Sequence, residues 1–179
     1  MIHETLITQP VIQAPRFILR APRKSDAGLC EMYTSDKRVA ENTTSIPHPL
    51  PPGATEAYLV RIMSDDRSEH VWIMDGADTG LSEVLGMISL EQMDRDQSEI
   101  GYWVGPQMWN TGFASDAVKA LVDANPLNNK TIFASVFQDN PGSARVLTNV
   151  GFDYLGDAEA FSVARNSKVP TWTYLKKLV

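Results

Sequence analysis

Residues 102–115 read Tyr102-Trp-Val-Gly-Pro-Gln-Met-Trp-Asn-Thr-Gly-Phe-Ala-Ser115, a β-prone run that enters a short loop and then a helix. The first turn of a helix carries unpaired backbone N–H groups and the positive end of the macrodipole, which together attract phosphate. Gly112 lets the backbone approach a ligand closely, and Thr111 and Ser115 add hydroxyl groups. The segment has neither G-x-G-x-x-G nor the Gly-Lys-Ser/Thr of a P-loop, and nothing between 104 and 117 is basic. We therefore expect backbone amides to hold any anion here, although an ordinary helix cap has the same residue pattern.

A second strand–helix junction follows in Ser135-Val-Phe-Gln-Asp-Asn-Pro-Gly-Ser-Ala-Arg-Val-Leu-Thr-Asn-Val-Gly-Phe152. Asn140 is typical of a helix N-cap and Pro141 of the first helical position. Gly151 ends the predicted helix before another strand. Capping explains these residue types, but it does not explain why two strand–helix junctions would lie side by side.

The flanking sequence alternates β-prone runs with helical patterns. Its predicted elements are strand 16–20, helices 24–35 and 54–64, strands 70–74, 84–90 and 99–104, a helix from 112 to 125, strand 131–136, helix 143–150, and closing strands 152–155 and 171–175. The order β-α-α-β-β-β-α-β-α-β-β predicts an α/β (α+β) fold with a central mixed, mostly antiparallel sheet flanked by helices. Four prolines between 45 and 53 predict a stiff surface loop, either a lid or a connector.

Size and charge limit the classes of protein that this chain can represent. With 179 residues, 43% of them hydrophobic, we expect a single domain over 1–179. The 16 Lys and Arg against 22 Asp and Glu give a net charge of −6, which disfavours a nucleic-acid partner and suits cationic partners such as amines. No stretch approaches the length of a membrane span, and residues 1–15 resemble no signal or transit peptide. We expect no membrane partner and a cytoplasmic location.

Cysteine and histidine usage argues against a metal site. The single cysteine, Cys30, excludes an internal disulfide framework and a cysteine-rich zinc site, and we expect it to be a small buried apolar group. The histidines His3, His48 and His70 are scattered without metal-ligand spacing. We therefore expect no metal.

Together the two junctions resemble the GNAT superfamily of acetyl-CoA-dependent N-acetyltransferases. Trp109-Asn-Thr-Gly-Phe-Ala114 is similar to the superfamily's pyrophosphate loop, usually Gln/Arg-x-x-Gly-x-Gly/Ala, and Asp-Asn-Pro-x-Ser-Ala-x-x-Leu-x-x-x-Gly-Phe, from Asp139, is similar to its downstream motif. Trp109 in place of Gln/Arg, preceded by Gly101-Tyr-Trp, is typical of the ribosomal-protein N-acetyltransferase-like (RimJ/RimL-like) branch. The opening Arg16-Phe-Ile-Leu-Arg-Ala-Pro-Arg-Lys-Ser-Asp is similar to that branch's start, so the resemblance covers nearly the whole chain.

This resemblance implies a GNAT-like fold and a set of acetyl-CoA-binding residues. The strand carrying Tyr102, Trp103 and Val104 would pair with the pantetheine arm of CoA, and Asn140 would hydrogen-bond that arm where two strands splay apart. The pyrophosphate would lie on the backbone amides of Asn110, Thr111, Gly112, Phe113, Ala114 and Ser115. Many relatives carry a tyrosine seven residues after the asparagine, which protonates the departing thiolate. This chain has Leu147 there, so the acid is unassigned.

Glu99 is a candidate catalytic residue. Alternation along its strand places it on the same face as Gly101 and Trp103, where its carboxylate would accept the amine's proton through water. A solvated edge glutamate is the alternative interpretation. The rival carboxylates are Glu91, Asp94 and Asp96.

Ser143 is the second candidate catalytic residue, three residues beyond Asn140. Some RimJ/RimL-like relatives are thought to use the matching serine to protonate or hydrogen-bond the thiolate. The alternative is a first-turn serine that satisfies its own helix.

The implied function is transfer of an acetyl group from acetyl-CoA to a primary amine by direct attack in a ternary complex. The acceptor is either a protein or peptide N-terminus or a small amine, and segments 42–53 and 162–169 are the candidates for recognising it. A non-catalytic acyl-CoA-binding sensor is the alternative that Leu147 permits. A nucleotide-binding enzyme is disfavoured by the absent glycine and lysine motifs, and the sequence leaves monomer and homodimer open.

Overall fold

The computed structural model describes residues 8–178 of the chain. Eight strands form a mixed sheet in the order β1-β2-β3-β4-β5-β6-β8-β7. The strands are β1 (Ile12–Gln13), β2 (Ile18–Arg20), β3 (Glu69–Asp75), β4 (Gly86–Met93), β5 (Gln97–Val104), β6 (Thr131–Phe137), β7 (Asp153–Ser162) and β8 (Ser167–Lys177). The helices are α1 (Ala27–Thr34), α2 (Lys37–Ala40), α3 (Ala54–Ile62), α4 (Phe113–Ala124) and α5 (Pro141–Asn149). Within the described range no helix is long and apolar enough to cross a bilayer.

Each element predicted from the sequence is present, and the mixed, mostly antiparallel sheet is confirmed. The strands of the closing hairpin, β7 and β8, extend further than predicted. The sequence analysis missed β1 and α2, which have two and four residues and are too short to leave a periodic pattern. His3 and the rest of segment 1–7 lie outside the described residues.

The strands β5 and β6 part in the middle of the sheet. They run parallel, and their pairing extends only from Gln97 with Thr131 to Ile100 with Ala134. Beyond that point β5 continues against β4 and β6 continues against β8. A gap therefore opens between the carboxyl ends of β5 and β6.

Helices cover both faces of the sheet, so each face has its own apolar cluster. The helices α4 and α5 pack on one face, in a cluster that includes Ile88, Leu90, Ile100, Leu121 and Leu147. On the other face α1 and α3 contribute to a cluster that includes Cys30, Tyr33, Leu59, Ile62 and Val71. Burial raises the pKa of the Cys30 thiol to about 12, which confirms Cys30 as a buried apolar group.

A buried ion triad fastens the start of the fold to the sheet. The Arg20 guanidinium on β2 lies 2.8 Å from Asp26, just before α1, and 2.6 Å from Asp75 at the end of β3. All three residues are buried. The triad therefore adds ion pairs to the strand pairing and apolar packing that hold β2, β3 and α1 together.

Candidate active site

A cleft of about 690 Å³ opens at the gap between β5 and β6. Its walls include residues from both faces of the sheet, so the cleft passes through the sheet. At the α5 side the lining residues are Tyr102, Asn140 and Ser143. At the side of α1 and α3 they include Glu69, Glu91, Glu99, Gly101 and Trp103. All of Glu99, Gly101 and Trp103 lie within β5, whose alternation gives them one face, and Trp103 packs with the cluster of α1 and α3 while Tyr102 packs with that of α4 and α5.

Tyr102 and Ser143 are paired at the α5 side of the gap. Ser143 Oγ donates a hydrogen bond to the Tyr102 hydroxyl at 3.2 Å, and that hydroxyl donates to the Ser143 carbonyl oxygen at 3.1 Å. Burial raises the pKa of Tyr102 to about 12, so the phenol stays neutral near pH 7. The interpretation of Ser143 as a serine whose hydroxyl satisfies its own helix is wrong, because that hydroxyl is turned to β5.

Asn140 provides the cap of α5. Its side-chain oxygen accepts the Ser143 N–H at 3.4 Å, and Pro141 takes the first helical position, as the sequence predicts. Leu147, two turns further on, is fully buried in the core. Position 147, where many relatives carry a tyrosine, is therefore occupied by a core side chain. The hydroxyl of a different tyrosine, Tyr102 on β5, reaches the start of α5.

The loop before α4 carries the predicted pyrophosphate site, 110–115. Gly112 is the N-cap residue in a left-handed conformation (φ 83°), and no side chain caps the first turn of α4. Its exposed amides are therefore available to an anion. Residues 110–115 do not themselves line the cleft, and they follow β5 after the short turn Pro106–Met108.

Arg16, from the segment before β2, fastens this loop to the start of α4. Its Nη2 donates to the Thr111 carbonyl oxygen at 2.8 Å and to an Asp116 carboxylate oxygen at 2.9 Å. The guanidinium also lies over the Phe113 ring, 4.1 Å from its centroid. Sequence reasoning missed this contact, which joins residues 95 to 100 positions apart.

The three predicted pantetheine-binding residues differ in position. Tyr102 and Trp103 line the cleft, and Trp103 packs against Tyr33 with ring centroids 5.9 Å apart. Val104 is buried and does not line it. Its carbonyl oxygen accepts a hydrogen bond from the Trp109 indole at 2.8 Å, so Trp109 fixes the end of β5.

Three glutamates form a row across neighbouring strands at the side of α1 and α3. The register places Glu69 on β3 beside Glu91 on β4, and Glu91 beside Glu99 on β5. Withdrawal from water raises the pKa of Glu99, and the negative charge of Glu91 raises it further. Glu99 lies on an interior strand with partners on both sides, so it is not an edge residue, but its side chain is exposed to solvent, as the alternative interpretation expects.

Glu69 is the best anchored of the three. It accepts a hydrogen bond from the Tyr58 hydroxyl at 3.2 Å, and Arg61 Nη1 lies 3.5 Å from its carboxylate. Withdrawal from water still raises its pKa, and Glu91 contributes to the rise. The sequence analysis did not consider Glu69, because only the strand register brings it next to Glu91.

Of the rival carboxylates, Glu91 lines the cleft, whereas Asp94 and Asp96 do not. Those two lie at the turn between β4 and β5, and an Asp96 carboxylate oxygen lies 3.8 Å from Lys130 Nζ. Asp94 and Asp96 were wrong candidates, because the hairpin carries its turn away from the gap.

The two segments expected to recognise the acceptor have different positions. The loop between α2 and α3 lines the cleft with Asn42, Thr43, Thr44, Ser45, Ile46, Pro47 and Leu50. Segment 162–169 does not line it, so a role for that segment in recognising the acceptor stays a prediction. Its backbone and side chains bind the loop instead: Val163 N–H donates to the Thr44 carbonyl oxygen at 3.0 Å, and Arg165 donates to the Glu41 carbonyl oxygen and to Asp139.

Across residues 8–178, no three His, Cys, Asp or Glu side chains converge closely enough to hold a metal ion. The row of glutamates is therefore spread along the cleft wall and does not form a chelating site.

Comparison with known proteins agrees with this geometry. The model of the acetyltransferase (GNAT) domain family matches residues 16–153. The chain belongs to this family. YoaA, an uncharacterized N-acetyltransferase of Bacillus subtilis (strain 168), is 30% identical over 173 residues, which cover 92% of this chain and 95% of YoaA.

Solved structures share the fold at lower identity. RimL, a ribosomal α-N-protein acetyltransferase in complex with coenzyme A, is 16% identical with a TM-score of 0.79 over 94% of this chain and 98% of that one. Spermidine N-acetyltransferase from Vibrio cholerae, in complex with CoA and spermine, is 18% identical with a TM-score of 0.74 over 91% and 98%. The GNAT resemblance and the mixed α/β GNAT fold are confirmed, and this chain is an acetyl-CoA-dependent acetyltransferase of that family.

Proposed function

We propose that this protein transfers an acetyl group from acetyl-CoA to a primary amine by direct attack within a ternary complex. The observation that carries the proposal is the cleft through the sheet, with the Tyr102–Ser143 pair at one side and Glu99 at the other. A thioester that enters from the side of α4 and α5 and an amine that enters from the side of α1 and α3 would meet in the gap. We also propose a cytoplasmic location, since acetyl-CoA is an intracellular metabolite.

We assign the binding of acetyl-CoA to the residues that the GNAT resemblance implies, and the chemistry of these residues suits the pyrophosphate and the pantetheine arm. The pyrophosphate would rest on the amides of 110–115, where the uncapped start of α4 favours an anion. Arg16 holds the loop through the Thr111 carbonyl oxygen, and its charge is paired with Asp116. The backbone of Tyr102 and Trp103 runs beside the gap without a β6 partner, so it has the free edge that a pantetheine amide needs. Asn140 lines the cleft next to that edge.

The proposed reaction joins the amine nitrogen to the acetyl carbon and breaks the carbon–sulfur bond. The amine gives up one proton, which Glu99 accepts through water, and CoA leaves as a thiolate that is protonated by solvent after release. The raised pKa of Glu99 makes it a stronger base than an ordinary carboxylate. A backbone N–H of β5 beyond Ile100 would stabilise the carbonyl oxygen as negative charge develops there.

Ser143 is proposed to hydrogen-bond the departing thiolate by turning its single O–H from the Tyr102 hydroxyl to the sulfur. Tyr102 is the positioning residue, because its hydroxyl would then donate to Ser143 Oγ and keep the serine at the gap. A thiol of pKa about 8.5 leaves readily near neutral pH, so a hydrogen bond to the sulfur suffices and full proton transfer is not required. This assignment is compatible with an aliphatic residue at 147.

Initial-rate kinetics test the proposal. CoA thiol release is followed while acetyl-CoA and the amine are both varied, with N-terminal peptides, polyamines, aminoglycosides and amino acids as candidate acceptors. Direct attack predicts intersecting double-reciprocal lines, whereas parallel lines would contradict it. Tight CoA binding without release from any amine would favour the non-catalytic sensor, and preference for ATP or NAD over CoA would favour a nucleotide-binding enzyme.

A further inference from the structure

The cleft wall that would receive the acceptor carries more negative charge than its neighbours neutralise. Arg61 is ion-paired with Glu69, but within the described part of the chain neither Glu91 nor Glu99 forms an ion pair with a Lys or Arg side chain. Among residues 8–178 the row therefore keeps two carboxylates that no Lys or Arg neutralises, although the Ser68 hydroxyl donates a hydrogen bond to Glu91 at 2.9 Å. Like charges on adjacent strands repel each other, so a bound cation would relieve a repulsion that is built into the site.

The spacing of the row suits an elongated organic cation. Neighbouring strands lie about 4.8 Å apart, so Glu91 stands about 5 Å from Glu99 and Glu69 about 10 Å from it at the backbone. The three side chains do not converge as metal ligands. A chain of methylene groups with an amine at each end spans such a distance.

A second observation at the same wall also indicates a polar ligand. Thr55 on α3 lines the cleft, is only 6% exposed, and its hydroxyl has no hydrogen-bond partner among residues 8–178. It lies one helical turn before Tyr58, whose hydroxyl reaches Glu69, so both side chains face the same wall. Buried hydroxyls are normally hydrogen-bonded, and a ligand with N–H groups would provide the missing partner.

We propose that the acceptor is a small amine that carries a second positive charge, with the reacting amine beside Glu99 and the second cation beside Glu91 and Glu69. The proposal rests on the proposed function, because it names the class of amine that the same cleft acetylates. It disfavours free amino acids, whose carboxylate would meet the glutamate row.

Calorimetry on the CoA-bound protein tests the proposal without requiring turnover. Three ligands of matched length are compared: 1,4-diaminobutane, n-butylamine and 4-aminobutanoate. The diamine should bind about 10-fold or more tightly than the monoamine, and 4-aminobutanoate should bind most weakly. Glu91→Gln should reduce the preference for the diamine towards one, while Glu31→Gln, on the exposed surface of α1, should leave it unchanged.

Equal affinity for the diamine and the monoamine, or a preference that survives Glu91→Gln, would overturn the proposal. A monocationic peptide amide that binds as tightly as the diamine would overturn it in favour of a peptide acceptor. The proposed function is tested separately. A diamine that binds with the expected preference but is never acetylated would support the dication site and would contradict the proposed acetylation of that amine.

Discussion

The Tyr102 hydroxyl on β5 lies 3.2 Å from Ser143 Oγ on α5, across the opening of the sheet. The pair stands where the resemblance places the departing sulfur, although the tyrosine position of many relatives holds Leu147. If the serine hydrogen-bonds the thiolate, Ser143→Ala should lower kcat by about 10²-fold. The melting temperature should barely move, because Asn140 and not the serine hydroxyl caps α5. A normal kcat would remove Ser143 from the mechanism.

Tyr102→Phe tests the positioning role separately. The variant keeps the ring but removes the hydroxyl that holds Ser143, and one neutral hydrogen bond corresponds to about a 10-fold loss in kcat at most. Because the two residues act as a unit, Tyr102→Phe combined with Ser143→Ala should be no slower than Ser143→Ala alone. The matched control is Tyr154→Phe, on an exposed part of β7. Fully additive losses in the double variant would contradict the pairing.

Gly112→Ala should weaken CoA binding. An alanine at φ 83° is strained, and its Cβ would lie 3.2 Å from Arg16 Nη2. Either the loop relaxes or the Arg16 guanidinium moves off the Thr111 carbonyl oxygen, and both changes disturb the anion-binding amides. Gly80→Ala is the matched control, because Gly80 has a similar φ of 77° and open space around its Cβ position. Both variants should lose stability by about 1–2 kcal/mol. Calorimetry should detect a large rise in the CoA dissociation constant for Gly112→Ala only, and an equal effect of the two changes would contradict the pyrophosphate assignment.

Glu91→Gln should shift the pH profile of kcat. The negative charge of Glu91 raises the pKa of Glu99, so its removal lowers that pKa. Glu99 then stays deprotonated to lower pH, and the acid limb of kcat, measured at saturating acceptor, should move to lower pH. Glu99→Gln should lower kcat and abolish that limb. A profile unchanged in both variants would show that Glu99 is not the base.

Asp26→Ala should destabilise the protein by about 3–5 kcal/mol, because it leaves the buried Arg20 with an incomplete set of partners. Chemical denaturation measures this loss, and Asp123→Ala, at the exposed Lys119–Asp123 pair, is the control with about 1 kcal/mol or less. A loss for Asp26→Ala no larger than that of the control would contradict the structural role of the triad.

The same triad predicts part of the acid sensitivity. Burial opposes the ionisation of Asp75, but the hydrogen bonds from Arg20 and from the Ala77 N–H overcome it, so its pKa is lowered. A lowered pKa contributes stability above the pKa of the unfolded state, about 3.9, and that contribution is lost as pH falls through the folded value. Asp75→Asn should reduce this loss below pH 4, as measured by unfolding at several pH values.

Features set by neighbouring residues could be predicted from the sequence, whereas contacts between residues far apart in the sequence could not. The helix start after Gly112 and the cap at Asn140 are encoded within a few neighbouring residues, and both were predictable. The Tyr102–Ser143 pair and the Arg16 contact with the pyrophosphate loop join distant segments. Their geometry depends on how α5 and β2 pack, which no local pattern records.

The glutamate row illustrates the same limit for the acceptor side. Glu99 was predictable from alternation on β5. Glu69 joins the same row, two strands away, only through the registers of β3 with β4 and of β4 with β5. The hairpin geometry also separated Glu91, which lines the cleft, from Asp94 and Asp96, which were equally close in sequence. The position of the row depends on two pairwise registers, that of β3 with β4 and that of β4 with β5, and the pattern of a single strand predicts neither.

The most direct test of acetyl transfer in this cleft is mass spectrometry of the acceptor amine combined with thiol release from acetyl-CoA, for the wild type and Ser143→Ala. The mechanism predicts that acetylated amine and free CoA appear in equal amounts, and that both appear about 10²-fold more slowly with the variant while CoA affinity is retained. Free CoA without acetylated amine, or equal rates for the two proteins, would contradict it.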